Sequence, residues 1–130
     1  MKFLLDTAIF LWSLDQNGQL NERALKVLDG GEEIYLSAAS SWEIAIKWGI
    51  GKLRLPKPPA QLIPEAMNRL GVRPLPITHS HSLAIAELPA HHKDPFDRML
   101  IAQARSERMT LMTADLDIRA YAGEILWCGL

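Results

Sequence analysis

The sequence predicts an α/β domain built on a mostly parallel sheet. Short apolar runs such as Lys2 to Leu5 and Thr110 to Thr113 alternate with stretches of helical spacing. Two of these runs are followed by an acid, Asp6 and Asp115, of the kind that caps a following helix. The chain has 130 residues and is 48% hydrophobic, which suits one domain, residues 1–130, with a sizeable core.

The elements follow in order. Lys2 to Leu5 reads as a buried strand, and Thr7 to Leu14 as a helix capped by Asp6 or Thr7. Asn21 caps a second helix whose face is Ala24, Leu25 and Leu28, and Gly30-Gly31 stops it. Glu33 to Ser37 is a second strand. Ser40 to Trp48 is helical, with Trp42, Ala45 and Ile46 at helix spacing, and Gly49 and Gly51 end it. Lys52 to Pro59 is a basic, proline-rich loop, and Pro59 opens a helix running to about Leu70. Arg73 to Ile77 is a third strand weakened by Pro74 and Pro76. Ser80 to Leu88 is a helix, and His91 to Lys93 a polar connection. Asp94-Pro95 then opens the clearest helix of the chain, with Asp94 as N-cap and Pro95 at the first position. Phe96, Met99, Leu100, Gln103 and Ala104 follow with helical spacing, and Arg105 and Arg108 suit the dipole at its end. Thr110 to Thr113 is a fourth strand, a helix begins near Leu116, and Ile125 to Cys128 is a fifth strand.

Composition narrows the function classes. A net charge of −1 lacks the strong basic excess frequent among nucleic-acid binders, although a local basic patch can still sit beside an acidic pocket. The one cysteine, Cys128, permits neither an intramolecular disulfide nor a cysteine-based zinc site, and suits a reducing cytosol. The apolar stretch from Ala8 to Leu14 is too short to span a bilayer, and Asp6 breaks any signal-peptide pattern. A cytoplasmic protein without a membrane partner is expected. No serine lies in a G-x-S-x-G context, and Gly49-Ile50-Gly51-Lys52 is too short for a phosphate-cradling loop.

Four acids stand out. Each has a plain structural reading. Asp6 can cap a helix, and Glu43 completes an S-x-x-E capping box with Ser40. Asp97 sits in a first turn where a helix dipole favours it, and Asp115 can make a turn or a cap. Together they say more. The carboxyl ends of parallel strands lie on one edge of the sheet, where ligand crevices form. Asp6 and Asp115 follow strands, and Glu43 and Asp97 fall in first helical turns, so all four face that edge. Each close pair of carboxylates would repel by roughly 4 kcal/mol at an intermediate dielectric, and a cation relieves this. An all-oxygen ligand set selects Mg2+ or Mn2+ over zinc. Such an ion can activate water and offset charge on a transferring phosphoryl group, and a second ion recruited by substrate would stabilise the leaving oxygen. His79 and His81, at spacing two, do not share a helix face and make a poor zinc pair; His91 and His92 read as a polar loop from which one ring could reach substrate.

These residues resemble the PIN-domain family, and within it the VapC toxins of bacterial and archaeal toxin–antitoxin pairs. The matching segments are Leu4-Leu5-Asp6-Thr7, the run from Ser40 to Lys47, the run Asp94-Pro95-Phe96-Asp97-Arg98-Met99-Leu100-Ile101-Ala102-Gln103-Ala104, and Thr113-Ala114-Asp115. The resemblance spans essentially the whole chain. It implies a three-layer α/β/α PIN-like fold and an Mg2+- or Mn2+-dependent endoribonuclease hydrolysing RNA. It places catalytic, metal-holding roles on Asp6, Glu43, Asp97 and Asp115 and a supporting hydroxyl on Thr113. It implies a homodimer silenced by a cognate antitoxin whose peptide enters the groove. Asp94 and Asp117 are left as structural acids.

Within that reading, Asp6 and Asp97 are the firmest ligands, Glu43 both caps and serves, and Asp115 completes the site or acts at a second ion. Lys47, Lys52, Arg54 and Lys57 form a basic tract that holds the RNA backbone or is a solvated loop. Arg98 contacts phosphate or pairs with an acid. Trp12, Trp42 and Trp48 are core or interface. Two alternatives remain: the same site acting on DNA or in ribosomal RNA processing, and a non-catalytic binding domain whose acids only cap helices.

Overall fold

The central strand of the sheet is the first in sequence. In the computed structural model, which describes residues 1–15, 18–121 and 123–130, β1 (Lys2–Leu5) is flanked by β2 (Glu33–Ser37) and β4 (Thr110–Thr113). β3 (Arg73–Leu75) pairs outside β2, and β5 (Ile125–Trp127) outside β4. The order is β3-β2-β1-β4-β5 and every pairing is parallel. The chain builds outward on one side of β1, then crosses back to the other. This puts the topological switch between β1 and β4, where crevices form beyond the strand ends.

Alternation along the strands feeds two apolar layers. Phe3, Leu5 and Met112 join Ile9, Phe10, Ala24 and Ile63 on one face, from α1 (Thr7–Leu14), α2 (Glu22–Asp29) and α4 (Pro59–Leu70). Leu4 and Leu111 join Leu100, Ile101, Ala104 and Ile118 on the other, from α6 (Pro95–Glu107) and α7 (Leu116–Arg119). Helices cover both faces, as an all-parallel sheet requires. The expected three-layer α/β/α architecture is present. Cys128 is free and buried, and burial pushes its thiol up to about 12. No helix among the described residues is long and apolar enough to cross a membrane.

Several local expectations change. α3 spans Ala38–Gly49, starting earlier than Ser40. β2 runs into it without a loop, and Ser37 both ends the strand and caps the helix, its hydroxyl accepting from the Ala39 N–H at 2.9 Å. Ser40 therefore makes no capping box; it accepts instead from the Thr7 hydroxyl at 3.0 Å. β3 stops at Leu75, before Pro76, which has no N–H for the ladder. The helix expected at Ser80 to Leu88 begins earlier as α5 (His79–Ala84), capped by Thr78, and tightens into a 3-10 turn at Ile85–Glu87. On α2, Leu25 is exposed, and Val27 packs on the core alongside Leu28.

Candidate metal centre at the carboxyl edge of the sheet

The four acids arrive at one cleft of about 900 Å³, together with Asp94, Asp117, Lys47, Lys52 and His92. β1 delivers Asp6. Its Oδ1 caps α1, accepting from the Ile9 N–H at 2.8 Å, and its Oδ2 accepts from the Thr113 hydroxyl at 2.5 Å. Burial pushes this carboxyl up to about 6 against those two hydrogen bonds, with Asp115 and Glu43 adding to the rise. β4 delivers Thr113 and the turn to Asp115. The Thr113 oxygen also accepts from the Asp115 N–H at 3.0 Å. One hydroxyl thus couples the acids that follow two neighbouring strands. Asp115 in turn caps α7 through the Asp117 N–H at 2.8 Å.

Glu43 enters from the second turn of α3. It is freed from capping and is only 6% exposed. Its Oε2 accepts from Lys47 Nζ at 2.7 Å, and its buried Oε1 has no partner among the described residues. Asp97 enters from the first turn of α6, where Asp94 Oδ1 accepts from the N–H groups of Phe96 and Asp97. Burial, with the charge of Asp94, pushes the Asp97 carboxyl up to about 7, although His92 opposes the rise.

His92 belongs to this site although the sequence reads as a polar loop there. Its Nε2 lies 2.7 Å from Asp97 Oδ2 and 3.7 Å from Asp115 Oδ2. Ligand atoms of His92, Asp115 and Asp117 also lie within 4.8 Å of one another, so Asp117 stands closer to the site than its structural reading implied. Burial opposes protonation of His92, but the Asp97 hydrogen bond and the charges of Asp97, Asp115 and Asp117 outweigh it and raise its pKa. The signal for it in the sequence is a histidine just before a capped helix whose first turn carries an acid.

The basic tract divides. Lys47 is bonded to Glu43, which raises its pKa, and Lys52 lines the acidic cleft. Arg54 and Lys57 line an adjoining groove that shares Leu11, Trp12 and Leu53 with the cleft, and Lys57 pairs with Glu65 at 2.6 Å. Among the described residues Arg98 pairs with no acid. Its guanidinium donates to the carbonyls of Ile85, Pro89 and His92 and to the Tyr121 hydroxyl. Trp12 packs partly buried against the core, whereas Trp42 is 59% exposed with its ring edge on Phe96.

These residues fit a divalent cation. A buried polar atom without a partner calls for an explanation, and Glu43 Oε1 is a hard oxygen donor among further carboxylates. Ligand atoms of His92, Asp115 and Asp117, spaced for one cation, line the same cleft.

Comparison with known proteins agrees with the fold. Residues 3–124 match the family model of the PIN domain. A 63-residue stretch, 48% of this chain and 45% of its relative, is 46% identical to Ribonuclease VapC16 of Mycobacterium tuberculosis. The chain thus aligns with about half the length of that relative. Among solved structures, VapBC2 of Rickettsia felis, bound to a promoter DNA fragment, superposes with a TM-score of 0.74 at 15% identity, over 98% of this chain and 99% of that one. DNA-bound VapBC of Salmonella typhimurium gives 0.69 at 19% identity, over 97% of each chain. With a family match across nearly its whole length, the chain belongs to the PIN-domain family.

Proposed function

We propose that this protein is a metal-dependent endoribonuclease, the toxin of a type II toxin–antitoxin pair, hydrolysing RNA phosphodiester bonds. The observation that carries the reading is the buried, half-unpartnered Glu43 carboxylate in a cleft shared with Asp6, Asp97 and Asp115. The relative named a ribonuclease supports RNA as substrate, and the VapBC structures support an antitoxin partner. Homodimer formation and a cytoplasmic location, where RNA is met, belong to the same reading.

Asp6, Glu43, Asp97 and Asp115 hold Mg2+, with Mn2+ able to substitute. When bound, the cation supplies water activation and charge neutralisation at the phosphoryl group. Thr113 fixes Asp6 and the Asp115 backbone together, so neither rotates when the cation binds. Lys52, and Lys47 at the same cleft, attract the RNA backbone toward an otherwise acidic pocket. Arg54 and Lys57 extend that attraction along the adjoining groove.

The test uses purified protein on RNA and on DNA, with Mg2+, with chelator, and with Asp97→Asn. RNA cutting that needs Mg2+ and is lost in the variant is the expected result. Equal RNA cutting by Asp97→Asn would overturn the metal mechanism, and cutting of DNA alone would overturn the substrate. A short antitoxin reading frame beside the gene is the cheapest check on the toxin role.

A further inference from the structure

We propose that His92 is a positioning residue that sets the spacing of Asp97 and Asp115, and that Tyr121 and Arg98 hold it in place for that purpose. This rests on the cation-site reading above. The acids come from separate elements, and hydrogen bonds tie only some of them together. Thr113 joins Asp6 to Asp115. Among the described residues no such hydroxyl ties Asp97, at the start of α6, to the strand-end acids. His92 supplies the link, with Nε2 at 2.7 Å from Asp97 Oδ2 and 3.7 Å from Asp115 Oδ2. Hydrogen bonds then run from Asp6 through Thr113 to the Asp115 backbone and from His92 to Asp97, and the 3.7 Å approach of His92 to Asp115, too long for a hydrogen bond, brings the two groups together.

The segment carrying His92 has no helix or strand of its own, yet its backbone is pinned. The His92 N–H donates to the Tyr121 hydroxyl at 2.9 Å, and the His92 carbonyl accepts from Arg98 Nη1 at 3.2 Å. The Pro89 carbonyl accepts from both Tyr121 and Arg98, at 2.9 and 3.0 Å. Arg98 Nη1 also reaches the Tyr121 hydroxyl at 3.2 Å, and Nη2 reaches the Ile85 carbonyl at 3.2 Å. The His91 ring meets the Tyr121 ring edge-on at 5.1 Å. Tyr121 itself is buried. A guanidinium and a buried phenol spent on one short connection fix where its imidazole lies. This gives Arg98 a role different from phosphate binding or acid pairing.

The chemistry follows from lone pairs. An Nε2–H bonded to Asp97 Oδ2 uses one lone pair and leaves the others for a cation. The bonded carboxylate no longer rotates freely, so less entropy is lost when a cation binds. Hydrogen-bond partners of ligating groups typically change metal affinity by about 10–100-fold when removed.

The test is Mn2+ titration by calorimetry on the full chain, alongside thermal unfolding without metal. His92→Ala is expected to weaken Mn2+ binding about 10-fold or more. His92→Gln, which keeps an N–H donor at similar reach, should recover most of that loss. Tyr121→Phe, which frees the segment but leaves the imidazole, should fall between wild type and His92→Ala. Metal-free unfolding of His92→Ala close to wild type would separate positioning from general loss of structure. Should His92→Ala not fold, the Gln and Phe variants carry the test, and wild-type affinity in Tyr121→Phe would overturn the inference. Unchanged or tighter Mn2+ binding by His92→Ala would overturn it while leaving the cation site standing. A wild type that binds no Mn2+ would remove the cation reading and this inference with it.

Discussion

Two histidines in this molecule contact carboxylates at nearly the same distance and do different work. His81 Nε2 lies 2.8 Å from Glu107, and His92 Nε2 lies 2.7 Å from Asp97. The ring of His81 is 1% exposed and every ring nitrogen has a partner. Its Nδ1 accepts from the Thr78 N–H at 3.1 Å and faces Gln103 Nε2 at 3.3 Å, which places its proton on Nε2. It faces one carboxylate, on a partly exposed glutamate. His92 faces Asp97, Asp115 and Asp117 at once, in a cleft shared with Glu43, whose buried Oε1 has no partner among the described residues. Gln103 Oε1, in the His81 cluster, is also buried without a partner among the described residues, so what separates the two clusters is charge. One carboxylate beside a histidine makes a structural tie, whereas three make a locus for a cation.

The sharpest way to break that comparison is to neutralise one acid at the cleft. Asp97→Asn should lower RNA cutting by more than the about 10–100-fold typical of removing a group that only supports a metal ligand. The same variant should unfold at a higher temperature than wild type without metal near neutral pH, because it removes a buried charge beside Asp94 and Glu43. Loss of activity together with loss of metal-free stability would mean that Asp97 is structural.

His81 should show the reverse. His81→Ala empties a fully buried site and strands the Thr78 N–H and Gln103, at a cost of about 3 kcal/mol. Unfolding in denaturant would read that cost. Mn2+ affinity of the folded fraction should stay at the wild-type value, since the ring contacts none of the cleft acids.

Much of this contrast was legible in the sequence, and the part that was not has a physical reason. Asp6, Asp97 and Asp115 were legible because their positions depend on local features, a strand end or the Asp94-Pro95 helix start, and the parallel order puts those features on one edge. Glu43 was legible as a residue at the same edge, where it lines the cleft, but the helix is capped by Ser37 and not by a box with Ser40. The S-x-x-E pattern does not reveal that β2 passes straight into α3 under the Ser37 cap. The fold class and strand order of appearance followed from alternation alone, whereas the ends of β3 and α5 depended on Pro76 and Thr78. His92 was legible only as a loop ring that could reach substrate, and its contact with the acids was not, for a different reason. Its place is set by Tyr121, 29 residues away, and no local pattern encodes that bond.

Proton and metal linkage should sharpen the contrast further. Burial raises Asp6 to about 6 and Asp97 to about 7, and nearby acids raise His92. In each case the folded protein holds a proton that the unfolded chain has released, so metal-free stability falls as pH rises. Over about pH 5.5 to 8 the unfolding temperature should drop by roughly 5 °C. Mn2+ binds the deprotonated carboxylates, so its stabilising effect should grow across the same window. Scans with and without Mn2+ would read both. A metal-free unfolding temperature that rises with pH would contradict the burial of these acids.

The smallest effects separate two lysines with equally short contacts. Lys47 lies 2.7 Å from Glu43, and Lys57 lies 2.6 Å from Glu65. Distance alone would rank them equal. Glu65 is half-exposed and its charge stays hydrated without a partner, so Lys57→Ala should leave the unfolding temperature unchanged. Glu43 is buried, with one oxygen already unpartnered. Lys47→Met strips the other, and a buried carboxylate left without its donor costs about 1–3 kcal/mol. That cost should appear in metal-free unfolding and shrink when Mn2+ is added, because the cation replaces the lost charge at Glu43. If Mn2+ does not narrow the gap between Lys47→Met and wild type, Glu43 does not hold the cation. Its bond to Lys47 would then belong with that of His81 to Glu107, as a structural tie.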